Sequence, residues 1–527
     1  MALLRDESEL ISVAFSLGAA AVGNLSTAET RLTTRARRVA PGIVKSVRDA
    51  IRRGEDPLGD AFCALRSPAE RRPAGATYTP HGLVSTMVEW AAQREPVRVV
   101  DPGAGSGRFI VAAARRFPRA RLIAVENDPL AALVLRAHLA CAGAGQRAEV
   151  FTSDYRRLKL EAAPGPTLFL GNPPYVRHHL IGAAWKTWLT RQARAHALPV
   201  SQLAGLHVHF FLATALAARP GDFGVFVTAA EWLDVNYGAL VRGLFLGPLG
   251  GTALHLVEPT ARVFSDADAT AVITCFEPGT RKPHIQVHRS RSLIHLTELG
   301  TGRSIARERL ATSARWTAFT RPARRTQSGL VELGEICRVH RGQVTGANKI
   351  WIASQQGCDL PQSVLFPSVT RARELFAAAG TLSDASCLRQ VIDLPLDLDA
   401  LPAEDRRAVA RFLELARDLG ADRSFIARHR RAWWSVGLRE PAPILATYMA
   451  RRPPAFVRNR VGARHLNIAH GLYPRSPLSE AALDALTRYL HSAIHVDQGR
   501  TYAGGLTKFE PREMERLLVP APDLLLT

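Results

Sequence analysis

Seven short apolar segments separated by stretches of helical periodicity limit this chain more than any other feature: Val97–Val100, Leu122–Val125, Glu149–Thr152, Thr167–Leu170, Val225–Thr228, Leu254–Val257 and Ala271–Phe276. Apolar runs this short, alternating with helices, bury their surface by pairing into a mostly parallel sheet covered by helices. That is an α/β domain, here spanning residues 71–280. Before it, residues 1–70 read as helical, with Leu10, Val13, Ala14 and Leu17 at 3.6-residue spacing. Residues 281–329 are rich in Arg, Thr and Ser and poorly periodic, so they are expected to connect. Residues 330–527 mix short strands, helices and many arginines and are expected to form a separate α+β domain. A chain of 527 residues is too long for one ordinary core, which agrees with this division.

The balance of 68 Lys+Arg against 47 Asp+Glu gives a formal charge of +21, more than solubility requires, and points to a polyanionic partner. No apolar run is long enough to span a bilayer, so no membrane partner is expected. Asp6, Glu7 and Glu9 interrupt the first twenty residues, which therefore do not read as a secretory signal, and a cytoplasmic location is expected. The six cysteines are scattered without metal-ligand spacing, so neither a metal site nor a disulfide framework is expected.

The first strand runs into Asp101-Pro102-Gly103-Ala104-Gly105-Ser106-Gly107-Arg108-Phe109, a glycine-rich turn leading into a helix. Glycines there let backbone approach a ligand at the carboxyl edge of the sheet. The spacing is Gly-x-Gly-x-Gly. Arg108 stands where a dinucleotide-binding turn has its last glycine, which favours a cofactor without a pyrophosphate. Glu126, 25 residues after Asp101, ends the second strand and can accept both hydroxyls of a ribose. Asp154 follows the third strand and can accept from an adenine amino group.

Gly171-Asn172-Pro173-Pro174-Tyr175 follows the fourth strand. An exocyclic amine on a nucleobase is a poor nucleophile because its lone pair is delocalised into the ring. Two acceptors aimed at that NH2, the Asn172 side-chain oxygen and the Pro173 carbonyl, would draw it towards sp3 character. Pro173 and Pro174 hold the carbonyls without competing N–H donors, and Tyr175 offers a π-face to the base.

The order of these motifs resembles the gamma-class amino methyltransferases of DNA restriction–modification and phage-defence systems, the TaqI and Eco57I methylase type, over nearly the whole chain after residue 70. The resemblance implies a class I S-adenosylmethionine-dependent methyltransferase domain, Rossmann-like with a seven-stranded mostly parallel sheet, followed by a target-recognition domain. It implies N6 methylation of an adenine flipped out of double-stranded DNA. By the same resemblance Thr79, in Ala76-Thr77-Tyr78-Thr79-Pro80, contacts the methionine part of the cofactor, Asp101 and Gly103 contact its amino-acid end, and Gly105 is a further cofactor-binding residue. Glu126 takes its ribose, Asp154 and Tyr155 its adenine, and Asn172 borders both cofactor and base. Phe264 is the candidate for stacking on the second face of the base.

Between Arg423 and Arg464 lie ten arginines and one acid, Glu440, interleaved with aromatics. That density suits phosphate contacts, base-edge contacts and stacking, and the expected DNA-binding residues are Arg430, Arg431, Arg451, Arg452, Arg458, Arg460 and Arg464. The segments Val339–Lys349, Phe456–Asn459 and Gly504–Pro511 also resemble the family's target-recognition domains. N4 methylation of cytosine, methylation of RNA or protein glutamine, and a non-catalytic DNA-binding subunit are the rival readings. Residues 1–70 carry no nuclease-like acid cluster. A separate restriction nuclease or defence-system partner is compatible with the sequence and is not identified by it.

Overall fold

All seven apolar segments form strands in the computed structural model: β1 (Arg98–Asp101), β2 (Arg121–Glu126), β3 (Ala148–Thr152), β4 (Thr167–Gly171), β5 (Phe223–Ala229), β6 (Gly251–Val257) and β7 (Ala271–Phe276). The structure describes residues 4–67, 70, 79–257, 270–290, 296, 298–320, 329–353, 359–501 and 506–525. Two compact units divide between Ala323 and Arg324.

In the first unit the sheet runs β3-β2-β1-β4-β5-β7-β6 and continues through β8 (His284–Ser290) and β9 (Arg303–Ala306). The first five strands are parallel and β7 is antiparallel between β5 and β6. Strands β1, β4, β5, β6 and β7 are buried along their length, which is why their sequences are continuous apolar runs rather than alternating ones. The two extra strands correct the expectation that 281–329 only connects. Ile285 and Val287 of β8 and Ile305 of β9 turn into the core while His284, Arg303 and Ser304 face out, so the alternation rests on few apolar positions. Trp316, 1% exposed, closes the same core.

The N-terminal helices belong to this unit as well. Asp6 caps the helix Glu7–Ser16, and a Ser26/Glu29 capping box starts the helix Thr27–Thr33. Leu10, Ile11, Val13 and Ala14 pack on Leu130, Leu133, Val134 and Ala137 of the helix Pro129–Cys141. That helix lies between the sheet and the N-terminal helices, which accounts for its being apolar all round. Its one buried cation, Arg136, donates to Glu29 at 2.6 Å, to Asn24 O at 2.9 Å, to Val150 O at 3.0 Å and to the Val22 carbonyl.

The second unit holds a five-stranded sheet in the order Cys337–Arg341, Ala469–Pro474, Ile444–Thr447, Phe456–Asn459 and Thr381–Leu382. The helix Glu480–Ala493 supplies Leu483, Leu486 and Leu490 to its core. A second cluster gathers Trp351, Phe412 and Leu413 around the helix Ala403–Asp418. Among the described residues no helix is long and apolar enough to cross a membrane.

Arg136 and Glu29 are 1% and 0% exposed, so removing the cation leaves a carboxylate without its counter-charge in the core. Arg136→Leu is expected to lower the stability of the first unit by about 3–5 kcal/mol, measured by denaturant unfolding. A loss under about 1 kcal/mol would mean that the N-terminal helices are not anchored through this pair.

Candidate active site

Strand β1 lies between β2 and β4, so the connections leaving its carboxyl end diverge and open a crevice there, the usual ligand position in such sheets. The crevice is a cavity of about 460 Å3 lined by residues of the glycine-rich turn, of the ends of β2, β3 and β4, and of the N-terminal helices. The turn is held tightly. Ala104 N donates to Val125 O at 3.0 Å, and Gly105 and Gly107 adopt φ of +54° and +99°. A Cβ on Gly107 would stand 2.6 Å from Leu135, and one on Gly103 would stand 3.1 Å from Pro174. The turn after β1 and the proline pair after β4 therefore meet at backbone distance.

Glu126 lines the cavity, and its carboxylate accepts from the amides of Gly105 and Asp128, both at 2.8 Å. Burial raises its pKa, and those two amides oppose the rise. Asp154 also lines the cavity and is gripped by Arg156, at 2.9 Å through Nε and 2.5 Å through Nη2. Burial pushes its carboxyl upward, but the Arg156 hydrogen bond and charge outweigh it and hold the pKa down. The Arg156 guanidinium in turn lies 3.8 Å from the ring centroid of Trp185. Tyr155 is buried and its hydroxyl is 3.0 Å from Thr214 Oγ1.

Asp101 differs from its expected position. It is fully buried and outside the cavity lining, and neither carboxylate oxygen has a partner in good hydrogen-bond geometry. Burial carries its pKa from the ordinary 3.8 to about 8, although the nearby Gly103 and Ile110 amides pull the other way. It stands directly behind Gly171, whose Cβ would be 2.8 Å from Asp101 Oδ1.

Thr79 and Asn172 come together beside the cavity. Asn172 Nδ2 donates to Thr79 Oγ1 at 3.1 Å, which fixes the orientation of the carboxamide. Arg108 donates to the Thr79 carbonyl at 3.0 Å, tying this pair to the glycine-rich turn. Pro173 is buried and Pro174 lines the cavity. The Tyr175 ring lies outside the cavity lining, stacked on His207 with centroids 4.8 Å apart. Phe264, Ala76, Thr77, Tyr78, Gly504 and Gly505 lie outside the described residues.

Several residues with a part in the site carry no local motif. Asp56, the N-cap of the helix Pro57–Leu65, accepts from Ser106 Oγ and Arg108 Nε, both at 2.6 Å, and so clamps the glycine-rich turn from outside. Arg66 pairs with Glu7 at 2.9 Å and with Asp128, the N-cap beside Glu126. Phe62, Arg66 and Glu70 all line the cavity. The partners of Asp56 lie some fifty residues away, so no local pattern points to the pairing.

In the second unit the arginines do not form one surface. Arg458 is 4% exposed, donates to both oxygens of Glu480 at 2.8 and 2.7 Å and to Pro443 O at 2.6 Å, and is a core residue rather than a DNA contact. Arg460 pairs with Asp484 at 2.6 Å and with Glu480. Arg464 pairs with Glu440 at 3.2 Å, and Arg430 donates to the Val344 carbonyl. Arg431, Arg451 and Arg452 are exposed, the last lying over Phe376.

The sheet order, the glycine-rich turn and the carboxylates closing the next two strands define a class I S-adenosylmethionine-dependent methyltransferase. The cavity's size and lining fit that cofactor: a tight turn in which a Cβ on Gly103 or Gly107 would crowd Pro174 or Leu135, with the carboxylates of Glu126 and Asp154 on the cavity wall. Residues 317–525 match the family model of the C-terminal domain of the Type II methyltransferase M.Eco57I. The chain is 50% identical over 533 residues to the Type II methyltransferase M.XamI of Xanthomonas campestris pv. amaranthicola, covering 99% of both. It is 22% identical over 365 residues to the Type II methyltransferase M.AccI of Acinetobacter calcoaceticus, covering 66% of this chain and 67% of the other. Among solved structures, the Type IIL restriction–modification enzyme MmeI in complex with DNA shares the fold with a TM-score of 0.56 at 12% identity, covering 91% of this chain and 80% of the other. The chain belongs to the Type II methyltransferases of restriction–modification systems.

Asp101 makes ligand-free stability depend on pH. A carboxyl with a raised folded pKa contributes fully below its ordinary 3.8 and loses that contribution as pH rises to about 8. Asp101→Asn should therefore gain on the wild-type protein by about 1.4 kcal/mol per pH unit between pH 5 and pH 7 in denaturant unfolding. A gap independent of pH would show that Asp101 is ionised in the folded protein.

Proposed function

We propose that this protein transfers a methyl group to the N6 amino group of an adenine flipped out of double-stranded DNA, at sites set by the second unit. The observation that carries the reading is Asn172, held by Thr79 at 3.1 Å beside the cofactor cavity at the end of β4. When bound, S-adenosylmethionine supplies an electrophilic methyl on a sulfonium centre, which needs no activation by the protein.

The residues then have a limited task. The Asn172 side-chain oxygen and the Pro173 carbonyl accept the two amine hydrogens and turn the nitrogen lone pair towards the cavity. A base inside a duplex cannot reach Asn172, so the target leaves the stack and rests against Tyr175, with Phe264 as the candidate for its other face. Thr79, Gly103, Gly105, Glu126, Asp154 and Tyr155 bind and orient the cofactor. Because Asp154 is held by Arg156, adenine binding there involves a shift or sharing of that ion pair. Positioning supplies most of the acceleration, and no covalent enzyme intermediate is required.

Exposed Arg431, Arg451 and Arg452 are the arginines suited to DNA phosphates, and Arg430 and Arg464, half-buried, are the further ones. This reading places the enzyme in the cytoplasm with the DNA, and a separate nuclease acting on the unmodified site is the partner it expects.

Asn172→Ala removes an acceptor without touching the ribose or adenine contacts. Transfer of labelled methyl to DNA is expected to fall by at least about a thousandfold, while the Kd for S-adenosylmethionine, measured by calorimetry, stays within a few-fold. Full transfer by the variant would overturn the role of Asn172 and the mechanism with it.

A further inference from the structure

If adenine is the substrate, Tyr175 is the aromatic that receives the extruded base, and a stacking platform requires a fixed plane. His207, in the first turn of the helix Leu206–Ala217, lies 12° from parallel with the Tyr175 ring and 4.8 Å from its centroid, covering one face. The Tyr175 hydroxyl donates to Glu231 Oε2 at 2.7 Å, and the Tyr237 hydroxyl donates to the same oxygen at 3.0 Å. Burial, with the charge of Glu231, moves the Tyr175 phenol well above its ordinary pKa, so it remains a donor. Burial takes His207 down to about 3, so it stacks as a neutral ring.

The acceptor itself is rigidly mounted. Glu231 and Tyr237 occupy consecutive 3-10 turns, Ala230–Leu233 and Asn236–Gly238, beyond the carboxyl end of β5, the neighbour of β4 in the sheet. Between them Trp232 is fully buried and donates through Nε1 to Thr228 Oγ1 at 3.1 Å. Arg242 donates to the carbonyls of Trp232 and Val235 at 2.6 and 3.1 Å. Gly238 packs so closely that a Cβ would stand 2.0 Å from Trp232 O, so only glycine fits there. Adjacent strand ends thus deliver the aromatic and its anchor to one place.

We propose that Glu231 is a positioning residue for methyl transfer: through the hydroxyls of Tyr175 and Tyr237 it fixes the plane of the Tyr175 ring, which His207 backs, so that the opposite face takes the target base. The inference rests on the adenine reading, yet Glu231 lies outside the lining of the cofactor cavity. Its loss should therefore affect turnover and leave cofactor affinity unchanged.

The test compares Glu231→Leu, Glu231→Gln, Tyr175→Phe and the double variant Glu231→Leu/Tyr175→Phe, with kcat, the KM for S-adenosylmethionine and the thermal midpoint measured for each. Glu231→Leu should lower kcat by about tenfold or more, with the cofactor KM within twofold, and Glu231→Gln, whose amide oxygen still accepts a phenol, should restore most of the rate. In the Tyr175→Phe background, Glu231→Leu should cost under about twofold more, because the shared hydrogen bond is already gone. Wild-type kcat in Glu231→Leu, a fully additive double variant, or a rate loss matched by a rise in cofactor KM would each overturn the proposal. Failure of the adenine reading shows separately, as wild-type protein that forms no N6-methyladenine.

Discussion

The close approach of the turn after β1 to the proline pair after β4 is the contact on which the site depends. Strand order places β1 and β4 side by side, and the absence of a side chain at Gly103 lets Pro174 stand where a Cβ would be within 3.1 Å of it. One junction thereby borders both the cofactor cavity and the Asn172–Tyr175 segment. Arg108 and Thr79 reinforce it by linking the turn to Asn172 through two hydrogen bonds of 3.0 and 3.1 Å. A group transfer between two bound molecules needs this fixed relation more than it needs acid–base chemistry, since misplacement by an ångström can cost orders of magnitude in rate.

The N-terminal helices add a wall to the cavity at that junction. Helix Pro129–Cys141 is apolar on every side, which obliges some element to cover its outer face, and residues 4–65 do so. Having docked there, they bring Asp56 to Ser106 and Arg108, and Arg66 to Asp128. Packing and function are therefore joined. The same helices that bury Leu133 and Val134 also fix the outside of the glycine-rich turn.

Much of this was legible in the sequence because strand ends carry the chemistry. The apolar runs located the strands, and the residues just after them, Gly103, Glu126, Asp154 and Asn172, fall on the cavity wall. Where local pattern is weak the reading failed. The β8 strand turns only Ile285 and Val287 inward as apolar residues, a short signal, and the packing role of Trp316 is not a local property. Arg458 was misread because a run of arginines does not reveal that Glu480 and Asp484, one turn apart on a later helix, neutralise two of them. Asp101 was placed correctly at a strand end, but nothing in a sequence tells whether a carboxylate faces a cavity or lies behind it.

The central claim is that the Asn172 site acts on the exocyclic amine of adenine. Its most direct test is incubation of the protein with S-adenosylmethionine and unmethylated DNA, followed by digestion to nucleosides and mass spectrometry. The account predicts N6-methyladenine as the product, confined to one recognition sequence. N4-methylcytosine in its place, or cofactor binding with no methylated nucleoside, would contradict it.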